Sequence, residues 1–239
     1  MNGDQVAAAT ARTVGQLSSG FMFDPATYAV GGKHGFEGIS FYFAGRAGVL
    51  GDVDADVAAA ALAFFHPDVV RANWDASAGV MPRAEAAEAF AGCGHRWAAD
   101  HMGDYDWSTL AALAGKVVAG ASVAGAPIFA GWRGLPVPDD PRAAALHQLN
   151  GLRELRMARH AAAVVVSGVE PGDAVRHRTP HMISIFGWDE APLGPDVAER
   201  WAAAEDLTNR ATAHDYAVLD ADETAEFTRL CGSALDAVA

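Results

Sequence analysis

Ionisable side chains are concentrated in the segment LRELRMARH, residues 152–160. Guanidinium groups bind carboxylates and phosphates through paired hydrogen bonds, and a carboxylate or an imidazole beside them can transfer protons. Leucines occur on every side of a helix drawn through this segment, so we expect a buried helix with half-buried polar groups. Two polar stripes run along it, one formed by His147, Asn150 and Glu154 and the other by Arg153, Arg156 and His160.

The charges of this central helix need partners, because burying an unpaired charge is costly. Two arrangements meet that need: an internal ion-pair network that fixes helix packing, or a polar cavity that holds a ligand. A second polar pair, Tyr42 and Arg46, lies four residues apart within the apolar stretch FYFAGR. We expect Arg46 to converge on one internal site with Arg153, Glu154 and Arg156.

The candidate residues divide between two roles at such a site. Carboxylates and imidazoles can act as acid or base, whereas arginine, tyrosine and asparagine side chains can orient an oxygen-rich substrate. The catalytic candidates are Glu154, His147 and His160, and the substrate-binding candidates are Tyr42, Arg46, Arg153, Arg156 and Asn150.

Common cofactor and metal motifs are missing from the sequence. Cys93 and Cys231 lie far apart and form no CxxC pair, and no group of His, Cys and carboxylates shows the spacing of metal ligands. There is no GxSxG, no Walker loop and no GxGxxG after a predicted strand. We therefore predict no metal, and the sequence identifies no cofactor.

Charge is distributed unevenly along the 239 residues, whose net charge is −13. Residues 142–178 carry six arginines against three acidic residues, whereas residues 189–239 have a net charge of −9. An acidic chain is poorly suited to bind phosphates or anionic lipids, so we expect neither a nucleic-acid nor a membrane partner. The lack of a long apolar run or of a secretion signal predicts a cytoplasmic protein, and a homodimer remains open.

Helix signals run through most of the chain and predict an all-α, multi-helix fold. The central helix should begin near Asp140, after the proline-rich loop LPVPDDP, and end near Val166, before SGVEPGD. Two segments, HMISIFGW and DYAVLDADET, are predicted to be extended, the second as a short strand and turn.

Several segments resemble the SalK-like proteins of actinobacteria, which are described as helix-turn-helix proteins. The segments are FYFAGRAGVLG, FFHPDVVRANWDAS, FGWDEAPLGPDVAERWAAAEDL and the stretch from LPVPDDP to SGVEPGD. The central helix of that family reads like LREHRGDGH. Arg153, Glu154, Arg156 and His160 match it, whereas Leu155, Met157, Ala158 and Arg159 replace its His, Gly, Asp and Gly.

The resemblance implies an all-α body followed by a small winged-helix-like module. We place the body, with its candidate ligand pocket, at residues 1–180 and the module at residues 181–239. Its wing would lie near YAVLDADET. Our first hypothesis is a biosynthetic enzyme of actinobacterial secondary metabolism that acts on an oxygen-rich or anionic small molecule through the Arg/Glu/His site. The alternatives are a ligand-sensing winged-helix transcriptional regulator and a scaffold that binds no ligand.

Overall fold

The computed structural model describes residues 1–239 and consists of helices, which confirms the all-α prediction. It contains no β-strand, and a single isolated β-bridge joins Met102 to Val238. The thirteen α-helices are α1 (Gly3–Ser19), α2 (Pro25–His34), α3 (Ser40–Ala47), α4 (Ala55–Ala61), α5 (Pro67–Ala76), α6 (Arg83–His101), α7 (Trp107–Gly120), α8 (Pro127–Trp132), α9 (Pro141–Val166), α10 (Pro171–Arg178), α11 (Ile183–Phe186), α12 (Val197–Ala213) and α13 (Ala221–Ser233).

Helix α9 is the central element, and its bounds agree with the prediction. The Asp140 side chain accepts hydrogen bonds from the backbone amides of Arg142 and Ala143, and Pro141 occupies the first turn. α9 packs against α1, α6, α7, α8 and α12. The leucines around α9 are buried because it has neighbours on nearly every side.

One large hydrophobic core connects both ends of the chain. It includes Val6 of α1, Phe90 of α6, Leu149 of α9 and Phe227 of α13. α12 packs on α1 and α9, and α13 packs on α1 and α7. The division into a helical body, residues 1–180, and a C-terminal module, residues 181–239, stays a prediction.

Both segments that were predicted to be extended are helical. In YAVLDADET, a 3-10 helix covers Tyr216–Val218, and Asp220 then forms a reciprocal capping box with Glu223 that starts α13. In HMISIFGW, a 3-10 helix and α11 precede Gly187. Gly187 has a left-handed conformation, with a φ of 79°, and ends α11. Capping by Asp220 and Gly187 favours helical turns here over strand pairing, so the expected wing strand does not form.

None of the helices is both long enough and apolar enough to cross a membrane.

Candidate functional site

Helix α3 positions Arg46 against α9. Every residue of α3 is buried, and Gly45 lies so close to α6 that a methyl group there would overlap the Phe90 side chain. The Trp132 indole N–H donates to the Arg46 carbonyl at 3.0 Å and ties α8 to the end of α3. The glycine and this hydrogen bond together hold Arg46 inside the protein and opposite Glu154.

Glu154 is the centre of a buried ion cluster. Arg46 donates to both of its carboxylate oxygens, from Nε to Oε1 at 2.8 Å and from Nη2 to Oε2 at 2.9 Å. Arg153 donates from Nη1 to Oε1 at 2.6 Å. Arg46 also donates to the Tyr42 hydroxyl at 2.7 Å, within α3. The two charged hydrogen bonds from Arg46 to Glu154 join α3 to α9.

The cluster contains two guanidinium groups and a single carboxylate. Burial by itself raises the pKa of Glu154, but the charges of Arg46 and Arg153 outweigh it and hold that pKa below its usual value. Burial and the charge of Arg46 lower the pKa of Arg153. For Arg46, burial lowers the pKa, but Glu154 and Tyr42 reverse this and raise it above its usual value. Glu154 is therefore ionised, and the cluster has one surplus positive charge.

A cavity of about 190 Å³ lies beside this cluster. Tyr42, Arg46 and Arg153 form its polar wall, and the other walls are mostly apolar. The rings of Phe65 and Phe186 stack there with their centroids 4.4 Å apart. The cavity is smaller than the roughly 300–1,000 Å³ pockets that bind drug-sized ligands, so it suits a ligand smaller than a typical drug.

Arg156 does not join the cluster, although we expected it there. It contacts α12 instead, where it donates to Asn209 at 2.9 Å and to Glu205 at 3.0 Å. Glu154 and Arg156 are two residues apart, which is about 200° around a helix, so their side chains leave α9 in different directions.

His160 belongs to the same α9–α12 contact as Arg156. Its Nδ1 lies 2.9 Å from the Thr208 hydroxyl, and its Nε2 lies 3.8 Å from Glu205. Arg159 reaches a third neighbour, the loop after α7, where it donates to the Ser122 carbonyl at 3.0 Å. The charges of LRELRMARH are thus divided among several neighbours of α9.

His147 and Asn150 lie on the stripe of Glu154 but away from its cluster. His147 Nδ1 is 3.3 Å from His95 Nε2, and burial lowers the pKa of His147 to about 4. The side-chain amide of Asn150 is buried and has no hydrogen-bond partner. The structure therefore unites Tyr42, Arg46, Arg153 and Glu154, and it leaves the other four candidates outside this group.

Several residues of the site were not found from the sequence. Phe65, Met157, Met182 and Phe186 line the cavity, and only their apolar character could have pointed to them. His95, the partner of His147, was also not among the candidates. No three His, Cys, Asp or Glu side chains come together in a way that could hold a metal ion.

Comparison with known families places the chain in one of them. Residues 7–191 match a model described as a helix-turn-helix family, and the match covers most of the chain, so the protein belongs to that family. No curated protein and no solved structure matches the chain.

Membership of a helix-turn-helix family contradicts our expectation of no nucleic-acid partner, because such a family suggests a DNA-binding protein. The expectation was wrong because it relied on net charge. Phosphate contacts depend on local exposed cations rather than on the total charge, and Arg178 is an exposed cation of this acidic chain.

Proposed function

We propose that this protein is a DNA-binding transcriptional regulator that responds to a small molecule bound in the cavity beside Arg153. The DNA-binding half of the proposal rests on the family, whose match covers residues 7–191. The sensing half rests on the surplus positive charge at the cavity wall. A SalK-like relationship, an actinobacterial origin, a cytoplasmic location and a homodimeric state are parts of the same proposal.

The observation that carries the sensing half is the contact between the ion cluster and the cavity. A buried guanidinium without a full counter-charge is costly, and a bound ligand with acceptor oxygens relieves that cost. Apolar walls next to a few convergent polar groups are typical of small-molecule sites. Phe186 and Arg153 supply these two features in the same cavity.

The segment that lines one side of the cavity follows directly after the basic last turn of α10. Met182 and Phe186 line the cavity, and Arg178 ends α10 four residues before Met182. Arg178 is exposed and has no ion-pair partner within the chain, so it is free to contact a phosphate. Ligand binding against Phe186 would in this way change the position of Arg178.

An enzyme of secondary metabolism is the second candidate, because a substrate could occupy the same cavity. Its weakness is the lack of a suitable acid or base. The Glu154 carboxylate is occupied by two arginines and has a lowered pKa. His147 and His160 do not line the cavity. These contacts favour a positioning role for Glu154 over proton transfer.

The DNA-binding half can be tested by selecting duplexes from a random-sequence library with the purified protein. Affinity for the selected duplex is then measured by fluorescence anisotropy over a range of salt concentrations. We expect enrichment of a defined sequence and tighter binding to it than to random duplex DNA. If no sequence is enriched and the protein has no measurable affinity for duplexes at low salt, this half of the proposal is wrong.

Arg178→Ala and Arg210→Ala form a matched pair for the same assay. Both arginines are exposed and have no ion-pair partner, but only Arg178 lies within the family match at residues 7–191. Loss of one phosphate contact reduces the salt dependence of log affinity by about one unit of slope. We expect that reduction for Arg178→Ala and no change for Arg210→Ala. Equal effects of the two variants would contradict the placement of the DNA contact.

A further inference from the structure

We infer that the cavity beside Arg153 binds a small organic monoanion, in which a single ring or a body of similar size carries one carboxylate. This inference rests on the proposed sensing function of the same site and adds the chemical class of the ligand. Its three supports are the charge balance of the cluster, the hydrogen-bonding groups that remain free, and the size and walls of the cavity.

The charge balance calls for one negative charge. Arg46 and Arg153 share Glu154 as their only carboxylate, and no other acidic side chain forms an ion pair with either of them. A ligand with one carboxylate brings the site to neutrality. A phosphate monoester carries about −1.5 to −2 charges at neutral pH and would leave the buried site with a negative excess.

The free hydrogen-bonding groups lie at Arg153 and Tyr42. Arg46 directs three of its N–H groups to Glu154 and Tyr42, so its role is to position these two side chains. Arg153 donates one N–H group to Glu154, and its side chain lines the cavity. The Tyr42 hydroxyl accepts from Arg46 and keeps its own O–H for donation. A ligand carboxylate can accept from Arg153 and Tyr42 together.

The cavity volume limits the rest of the ligand. An apolar cavity of roughly 150 Å³ holds a benzene molecule. The present cavity of about 190 Å³ accommodates one ring and a carboxylate-sized group. Phe65 and Phe186 offer aromatic surface to such a ring, and Met157 adds a polarisable thioether.

The test is isothermal titration calorimetry of the full chain, without DNA, against benzoate, benzamide and phenyl phosphate. These probes share one ring and differ in charge, being monoanionic, neutral and largely dianionic. We expect benzoate to bind with a Kd below about 1 mM and roughly tenfold or more tightly than either of the others. Equal binding of benzoate and benzamide, stronger binding of phenyl phosphate, or no binding of benzoate would overturn the inference.

Arg153→Met and Arg156→Met are the matched variants. Both replace an arginine of α9 with a side chain of similar length, but only Arg153 lines the cavity. We expect Arg153→Met to weaken benzoate binding roughly tenfold or more, and Arg156→Met to leave it unchanged. The inference is wrong if the two variants bind benzoate equally well. If Arg153→Met does not fold, the probe series on the unmodified chain still decides the question.

The outcomes separate the ligand class from the proposed function. If the selected duplex is bound but benzoate is not, the ligand class is wrong and DNA binding stands. If benzoate is bound in the expected order but no duplex is enriched, the ligand class stands and the regulatory function is wrong.

Discussion

Replacement of Glu154 by glutamine should strongly destabilise the fold. The glutamine would keep the shape of the side chain but remove the only negative charge next to Arg46 and Arg153. The Glu154 side chain is 1% exposed and that of Arg46 is 5% exposed, so water screens their interaction very little. Breaking a buried ion pair by removal of one partner costs about 3–5 kcal/mol, chiefly because the remaining charge stays buried and unpaired.

The expected loss can be expressed as a melting temperature. For a chain of this length, 1 kcal/mol corresponds to a shift of about 2–4 °C. Glu154→Gln should therefore lower Tm by about 6–20 °C. The assay is thermal and urea denaturation followed by far-ultraviolet circular dichroism, at a pH near neutrality where Glu154 is ionised.

A double-mutant cycle tests whether the cost comes from unpaired charge. The double variant Arg46→Met/Glu154→Gln lacks both charges of this pair. Its loss in the free energy of unfolding should be about 1–3 kcal/mol smaller than the sum of the losses in the two single variants. Arg153→Met removes only the surplus cation and should change the free energy of unfolding by less than about 1 kcal/mol. Additive single losses, or a cost of less than about 1 kcal/mol for Glu154→Gln, would refute this reasoning.

Three further predictions concern stability and can be measured by urea denaturation. Burial holds the pKa of His147 near 4, below its usual 6.5, so the stability due to neutral His147 is complete above pH 6.5 and is lost between pH 6.5 and 4. This loss should be about 3 kcal/mol and should be missing from His147→Gln, which keeps only the pH dependence due to half-buried His95 and buried His160; equal losses in the two chains would contradict the prediction. Gly45→Ala should lower the free energy of unfolding by about 1–3 kcal/mol because the new methyl group overlaps Phe90. An unchanged free energy of unfolding would show that α3 and α6 can move apart without cost. Asp140→Ala should cost about 0.5–2 kcal/mol through loss of the α9 cap, and an unchanged midpoint would show that the cap is dispensable.

Local sequence signals determined the helices and the extent of α9. Asp140 and Pro141 start that helix through a side-chain cap and a fixed φ, which act within a few residues and need no tertiary contact. The pairing of Tyr42 with Arg46 was equally local, because residues four apart lie on the same face of a helix. Where two local signals competed, as at Asp220, the capping box prevailed over the strand-like pattern.

Only the tertiary structure decided which charges meet and where a cavity remains. Arg46 and Glu154 are 108 residues apart, and Arg156 finds Glu205 across a different helix interface. Composition and periodicity indicate that a side chain is buried, but not which neighbouring helix its face meets. The cavity depends further on how imperfectly Phe65 and Phe186 fill the space beside α9. Packing is a property of all the surrounding helices at once, so no single segment of the sequence contains it.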